Sequence, residues 1–278
     1  MSQTSSFVKK LASNDRPTRD AALEALQRYL SSKSSKKLSL LDMEKLWKGL
    51  YFSMWFCDRP KTQERLAENL GKLYSEVILK DEFSRFVESF WSIIILEWPS
   101  IDQWRIDKFY LLIRRVLRHN FKFLRAQNWD EKLLEQWLDV MNRTVLSGDK
   151  SIPVALPYHL CDIYLEELEL VIFDDLKDVQ EELDELNKED KDYIEKYQEV
   201  YKKKLEVAGE IPIKELISPF ERLNKEALLK TLREKCKEEV LDDARLKDWG
   251  VYEDEEDSAD EKEGDANDDD SEEEWTGF

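Results

Sequence analysis

Residues 106–125 read IDKFYLLIRRVLRHNFKFLR, and the periodicity of this stretch decides the fold class. At about 100° per residue, Ile106, Phe109, Tyr110, Leu112, Ile113, Val116, Leu117, Phe121, Phe123 and Leu124 share one half of a helical wheel. Arg114, Arg118, Lys122 and Arg125 gather within roughly 80° on the other half, with Arg115 beside them. The stretch predicts a long helix with one face buried and the other basic.

Segments of the same kind extend outward in both directions. Trp98-Pro99 closes a preceding helix that begins at Asp81, and Ser100 opens the basic helix. Arg59-Pro60 separates a helix over 61–80 from one over Leu40–Asp58. The latter is apolar on most sides, as expected of a central core element. Further upstream, Asn14 or Asp15 caps a helix with Pro17 in its first turn. Downstream, a helix over 129–146 is stopped by Gly148, and another covers 158–173. Pairs of helices about 40 residues long predict an all-α fold of stacked antiparallel hairpins, resembling HEAT repeats; since the pairs share no sequence signature, an irregular helical bundle is the alternative. With 7 Gly and 7 Pro in 278 residues, the chain has too few turn-formers for a many-hairpin β fold.

Charge divides the chain further. Residues 1–150 carry a net +6, 151–250 carry −11 and 251–278 carry −14, within a total of −19. The expected organisation is a helical-repeat domain over 1–173, a charged helical extension over 174–250 and a disordered acidic tail over 251–278. Asp265-x-Asn267-x-Asp269 opens like a calcium loop, but Asp270 stands where glycine is required and no ligand Glu follows at position twelve. Ser258 and Ser271, each with Glu three residues on, are candidate phosphorylation sites. Trp275 and Phe278 are candidate docking residues in an otherwise polar segment.

The chemistry of catalysis finds no foothold in the motifs. Gly71-Lys72 lacks the offsets of a phosphate loop, and no G-x-S-x-G, H-E-x-x-H or G-x-G-x-x-G is present. His119 and His159 are the only histidines, too few for a His-rich metal site. No catalytic residue, cofactor site or metal site is assigned. Three separated cysteines without a CxxC pair point to a reducing compartment. The N-terminus lacks the apolar core of a signal peptide and no apolar run reaches the ~20 residues of a membrane span, so a soluble intracellular protein without membrane contact is expected. What the chain offers instead is surface. Four cations along about 16 Å of helix match phosphate spacing on a nucleic-acid backbone; a solvated face, or docking of the chain's own acidic tail, accounts for them as well.

Two blocks are distinctive: KLWKGLYFSMWFCDRPKTQERLAE (45–68) and IDQWRIDKFYLLIRRVLR (101–118). Trp47-Lys48-Gly49-Leu50, Trp55, Pro60 and Gln63, then Trp104-Arg105 and Asp107-Lys108-Phe109-Tyr110, resemble the nucleolar ribosomal-RNA-processing protein 1 family. The resemblance covers about residues 5–215 and is densest over 40–145. It implies a non-enzymatic factor of the nucleus and nucleolus, bound to large-subunit pre-ribosomal particles and to other nucleolar assembly factors, with possible direct contact to precursor ribosomal RNA. Such a family has no catalytic residues to carry over. From its two blocks, Lys48, Arg59, Lys61, Arg105 and Lys108 join Arg114, Arg115, Arg118, Lys122 and Arg125 as candidate partner-binding residues. The competing expectation is an acidic helical adaptor, akin to a histone chaperone, that binds basic partners through its acidic segments.

Overall fold

A computed structural model describes residues 3–32, 38–186 and 191–252, and among these the chain is helical with no β-strand. The second part of the tail, with Ser258, Ser271, Trp275 and Phe278, lies outside the described residues, as does the basic run 33–37.

Local chemistry sets most helix boundaries. Helix α1 spans Gln3–Leu11. Asp15 caps α2 (Arg16–Leu30), accepting from the Thr18 amide at 3.0 Å, with Pro17 in the first turn as expected. Ser39 opens α3 (Leu40–Trp55) through a reciprocal capping box with Asp42. Helix α4 (Pro60–Lys72) widens into a π-helical turn over Leu73–Val77, so the helix expected to run to residue 80 ends early. Then come α5 (Phe83–Glu97) and α6 (Ile106–Ala126). The start of α6 slips from the expected Ser100 because Asp102 holds a turn: its carboxylate accepts from the Trp104 amide at 3.0 Å and its carbonyl from the Arg105 and Ile106 amides. Helices α7 (Glu131–Arg143), α8 (Ala155–Ile172), α9 (Lys177–Asp184), α10 (Lys191–Gly209), α11 (Ile213–Glu226), α12 (Lys230–Cys236) and α13 (Ala244–Asp248) complete the chain.

These helices form two layers. In one, α1 packs on α3, α3 on α5, α5 on α7 and α7 on α11; in the other, α4 packs on α6 and α6 on α8. Second-layer helices begin at Pro60, Ile106 and Ala155, a period of roughly 46 to 49 residues. That is longer than the 40 expected, since connecting turns such as Trp98–Ser100 add to each hairpin. Between the layers lies one continuous core from Leu11 to Val251. Trp47 is its hub, with ring centroids 4.8 Å from Phe90, 5.4 Å from Phe86 and 5.9 Å from Tyr74. Each such buried ring contributes about 1.5–3 kcal/mol from apolar burial.

The charged segment after residue 173 is packed back onto the stack. The Tyr164 hydroxyl of α8 donates to the Leu216 carbonyl at 2.6 Å, and Arg222 donates to Asn142 of α7 at 3.1 Å. Beneath them the thiols of Cys161 and Cys236 lie 3.8 Å apart, both buried and free. No helix among the described residues is long and apolar enough to cross a membrane.

Candidate functional site

The cations of α6 are not a free stripe. Counting from Ile106 at about 100° per residue, Arg114, Arg118 and Arg125 sit at roughly 80–120°, Lys122 at ~160°, and Lys108, Arg115 and His119 at ~180–220°. In a layer, the two flanks of a helix meet its neighbours and only the crest meets solvent. The first group accordingly faces α8. Arg114 reaches Glu166 at 2.5 Å and Glu167 at 3.1 Å, while Arg118 forks onto Glu167 at 2.5 and 3.0 Å. Arg125 donates to the Val171 carbonyl at 2.8 Å and pairs with Asp175. On the other flank, Arg115 lies 3.5 Å from both Glu64 and Glu68 of α4. Of the α6 cations, only Lys122, on the crest, makes no ion pair among the described residues. The expectation of four aligned, available cations is therefore corrected: a guanidinium held by a carboxylate of its own fold has little left to offer a phosphate.

The same flank holds a buried relay. His119 is 1% exposed. Its Nε2 lies 3.0 Å from Glu68 and its Nδ1 2.7 Å from the Ser75 hydroxyl. Since an ionised carboxylate only accepts, the network assigns the proton to Nε2, with Ser75 donating to Nδ1. Serine, imidazole and carboxylate in a row suit nucleophilic catalysis, yet here the ring is sealed between α4 and α6 and ties the π-helical turn to both. Burial pushes His119 below its ordinary pKa of 6.5 against the pull of Glu68. Burial also lowers His159, against its hydrogen bond to the Tyr110 carbonyl.

Stability should therefore fall as pH drops. The unfolded chain takes up protons near 6.5 while both folded imidazoles stay neutral, so stability is complete above 6.5 and is lost as pH falls through 6.5 toward the depressed folded values. The urea midpoint should be lower at pH 5.5 than at pH 7.5, and His119→Gln with His159→Gln should flatten the difference. An unchanged slope in the double variant would contradict this origin.

The remaining candidates converge on one edge of the stack, where α3 ends, α4 begins and the turn before α6 comes alongside. Lys108 is 5% exposed, so its nomination as a surface residue is corrected. Its ammonium donates to the Trp55 and Cys57 carbonyls at 2.7 and 2.9 Å, with Asp58 at 3.6 Å, and so caps the C-terminus of α3. Burial lowers its pKa, with Asp58 pulling the other way. The Arg105 guanidinium stacks 4.6 Å from the Trp55 ring and pairs with Asp102. Lys48 sits 5.1 Å from the Phe52 ring centroid and pairs with Glu97. Arg59 and Lys61 are exposed and make no ion pair among the described residues. They do not cap α3; Lys108 does.

At this edge Trp104 is 86% exposed, while Trp47, Trp91, Trp98 and Trp137 are buried. Phe56, just past the end of α3, is also exposed. The two distinctive sequence blocks, more than 30 residues apart in the chain, are thus joined through Lys108, Arg105 and Trp55. Seven of the nine tryptophans fall within residues 45–143, and the sequence alone does not tell which one faces outward. The available signal is the polar run Asp102-Gln103-Trp104-Arg105, which offers Trp104 no apolar partner in sequence.

Comparison with known proteins adds the family. The family model described as "Nucleolar protein, Nop52" matches residues 2–277. Human ribosomal RNA processing protein 1 homolog B is 37% identical over 168 residues, covering 59% of this chain and 22% of the relative. The Caenorhabditis elegans ribosomal RNA processing protein 1 homolog is 37% identical over 164 residues, covering 59% of this chain and 41% of the relative. For the Drosophila melanogaster homolog the identity is 31% over 171 residues, covering 60% and 25%. The matched portion is well under half of each of these relatives. Because the family match runs almost from end to end, this chain belongs to the Nop52 family of nucleolar proteins.

Proposed function

We propose that the chain is a non-catalytic nucleolar factor in ribosomal RNA processing, and that it joins large-subunit precursor particles through the edge around Trp104. Relatives named for ribosomal RNA processing support the process. The observation that carries the docking surface is the convergence of both distinctive blocks on that edge, where Trp104 stands exposed and Arg59 and Lys61, at the start of α4, make no ion pair among the described residues. Exposed Trp and Arg are the side chains that most often anchor binding. The α6 arginines support the same choice, because each already has a carboxylate partner within the fold.

The test is density-gradient sedimentation of tagged protein from cell extract, with sequencing of the RNA in the peak fraction. Wild type should travel with large-subunit precursor RNA. Trp104→Ala should weaken the association about 30-fold, the equivalent of a hot-spot truncation of ~2 kcal/mol, and Arg59→Glu with Lys61→Glu should weaken it further. Particle binding undiminished in the triple variant would remove this edge from the proposal. A wild-type peak free of precursor RNA would overturn the function itself and favour the acidic adaptor.

A further inference from the structure

The second layer is not uniformly closed. Helices α4, α6 and α8 pack side by side, but α2 meets the second layer mainly at the π-helical turn after α4. Toward their N-termini α2 and α4 part, leaving a groove of about 420 Å³ floored by α3. Its lining mixes Leu23, Leu50, Leu66 and Leu70 with Gln27, Ser53, Thr62 and Asn69, and of these leucines only Leu66 is more than slightly exposed. Arg16, Arg19 and Arg65 stand at the mouth, and Asp20 and Glu24 lie on the α2 wall.

The charge at the mouth is available in a way that the α6 charge is not. Arg65 is exposed and makes no hydrogen bond or ion pair among the described residues, and Arg59 and Lys61 extend the same end of α4. Arg16 is offset by Asp20 at 3.4 Å. Arg19 donates to the Ser13 and Asn14 carbonyls at 2.8 and 3.0 Å, which leaves its net charge in place. Glu24, also exposed, lies one turn further along α2 from Asp20. The positive ends of α2 and α4 add to the potential at the opening. The groove thus suits a segment that places a run of carboxylates across the mouth and inserts a ring carrying a polar edge beside Leu66 and the amides of Gln27 and Asn69.

The chain contains such a segment. Residues 268–278 read DDDSEEEWTGF, six carboxylates followed by Trp275 and Phe278. Between Tyr252 and Trp275 the chain can span at most about 80 Å, while a folded body of this size has a radius of gyration near 18 Å. Any point on the stack is within reach. Tethering on that scale supplies an effective concentration in the millimolar range, so a weak contact suffices.

We propose that the α2–α4 groove is the docking site of the chain's own acidic segment 268–278, with the carboxylates facing Arg19 and Arg65, flanked by Arg16, and the Trp275 ring entering the groove beside Leu66. Docking covers the basic end of the stack until a partner with a stronger claim on either element displaces it. Phosphorylation of Ser271 adds negative charge at the mouth and tightens the contact. The proposal is independent of which particle the protein joins.

Photo-crosslinking of the purified full chain tests it, with benzoylphenylalanine in place of Trp275 and peptide mapping of the products. Crosslinks should concentrate on the α2 and α4 lining, within single molecules as judged from isotope-mixed samples. Arg65→Glu alone, a change that breaks no contact of the fold, should reduce them about threefold, and Arg16→Glu with Arg65→Glu at least tenfold. High salt should act in the same direction. Crosslinks centred elsewhere on the stack, crosslinks between copies, or yields indifferent to Arg65→Glu in a variant with unchanged circular dichroism would each overturn the proposal. A segment that instead crosslinks only to added RNA or protein would assign it to an external partner.

Discussion

Replacing Glu167 with Ala should destabilise the fold by about 3 kcal/mol, lowering the melting temperature by roughly 6–12 °C. The side chain is 0% exposed and is shared by Arg114 and Arg118, so its removal strands the largely shielded Arg118 guanidinium and leaves Arg114 with Glu166 alone. Breaking one side of a buried ion pair typically costs more than the pair itself contributes, because the orphaned charge remains desolvated. The comparison that isolates this term is Arg114→Met, Arg118→Met and Glu167→Leu together. This variant removes charge on both sides and should recover most of the loss. The equilibrium urea midpoint checks both outcomes; a Glu167→Ala variant within about 0.5 kcal/mol of wild type would mean that the arginines find other partners or solvent.

Glu167 also marks the limit of what one sequence discloses. Helix existence was legible because each signal is local: Asp15 and Ser39 as caps, Pro60 at a helix start, the apolar half-wheel of α6. The all-α class followed from those alone. Pairings between helices are not local. They recur at separations of about 50 residues, as in Arg118–Glu167 at 49, His119–Glu68 at 51 and Arg114–Glu166 at 52. Once the hairpin period is known, such spacing is predictable, but a single sequence without a repeated signature does not reveal the period. The helical wheel separated apolar from basic correctly and yet says nothing about what each flank meets. That is why Arg114, Arg118 and Arg125 read as solvent-facing although α8 lies against them.

The same reasoning explains the tryptophans and lysines. Trp104 and Trp98 are six residues apart and chemically identical, but the Asp102 turn lifts one away from the core while the other packs 5.2 Å from the Tyr110 ring. Lys108 has the composition of a surface residue and the position of a boundary one, and the exposed carbonyls at the end of α3 draw it inward. The two family-like blocks were recognisable separately; that they form one edge is a fact of packing.

Gly71 shows how a residue set aside for one chemistry acquires another. In an ordinary helix interior, Gly→Ala stabilises by about 1 kcal/mol through backbone entropy and propensity. Here a Cβ would lie 2.3 Å from Cδ2 of His119 and 3.0 Å from the Arg115 carbonyl oxygen. The imidazole has no free rotamer to retreat into, because Ser75 and Glu68 hold both of its nitrogens. The backbone of α6 yields only if α4 moves away from it, and that opens the core. The clash therefore outweighs the propensity gain, and Gly71→Ala is expected to destabilise by a net 2–3 kcal/mol, in the range of overpacked cores. A double-mutant cycle tests the cause. His119→Ala is itself destabilising, through a cavity and an orphaned Glu68. In that background Gly71→Ala meets only the Arg115 carbonyl and should cost at least 1 kcal/mol less, an interaction term well above the additivity error for distant sites. Strict additivity of the two changes in urea denaturation would mean that the close crossing of α4 and α6 is set by something other than the contact between this glycine and this ring.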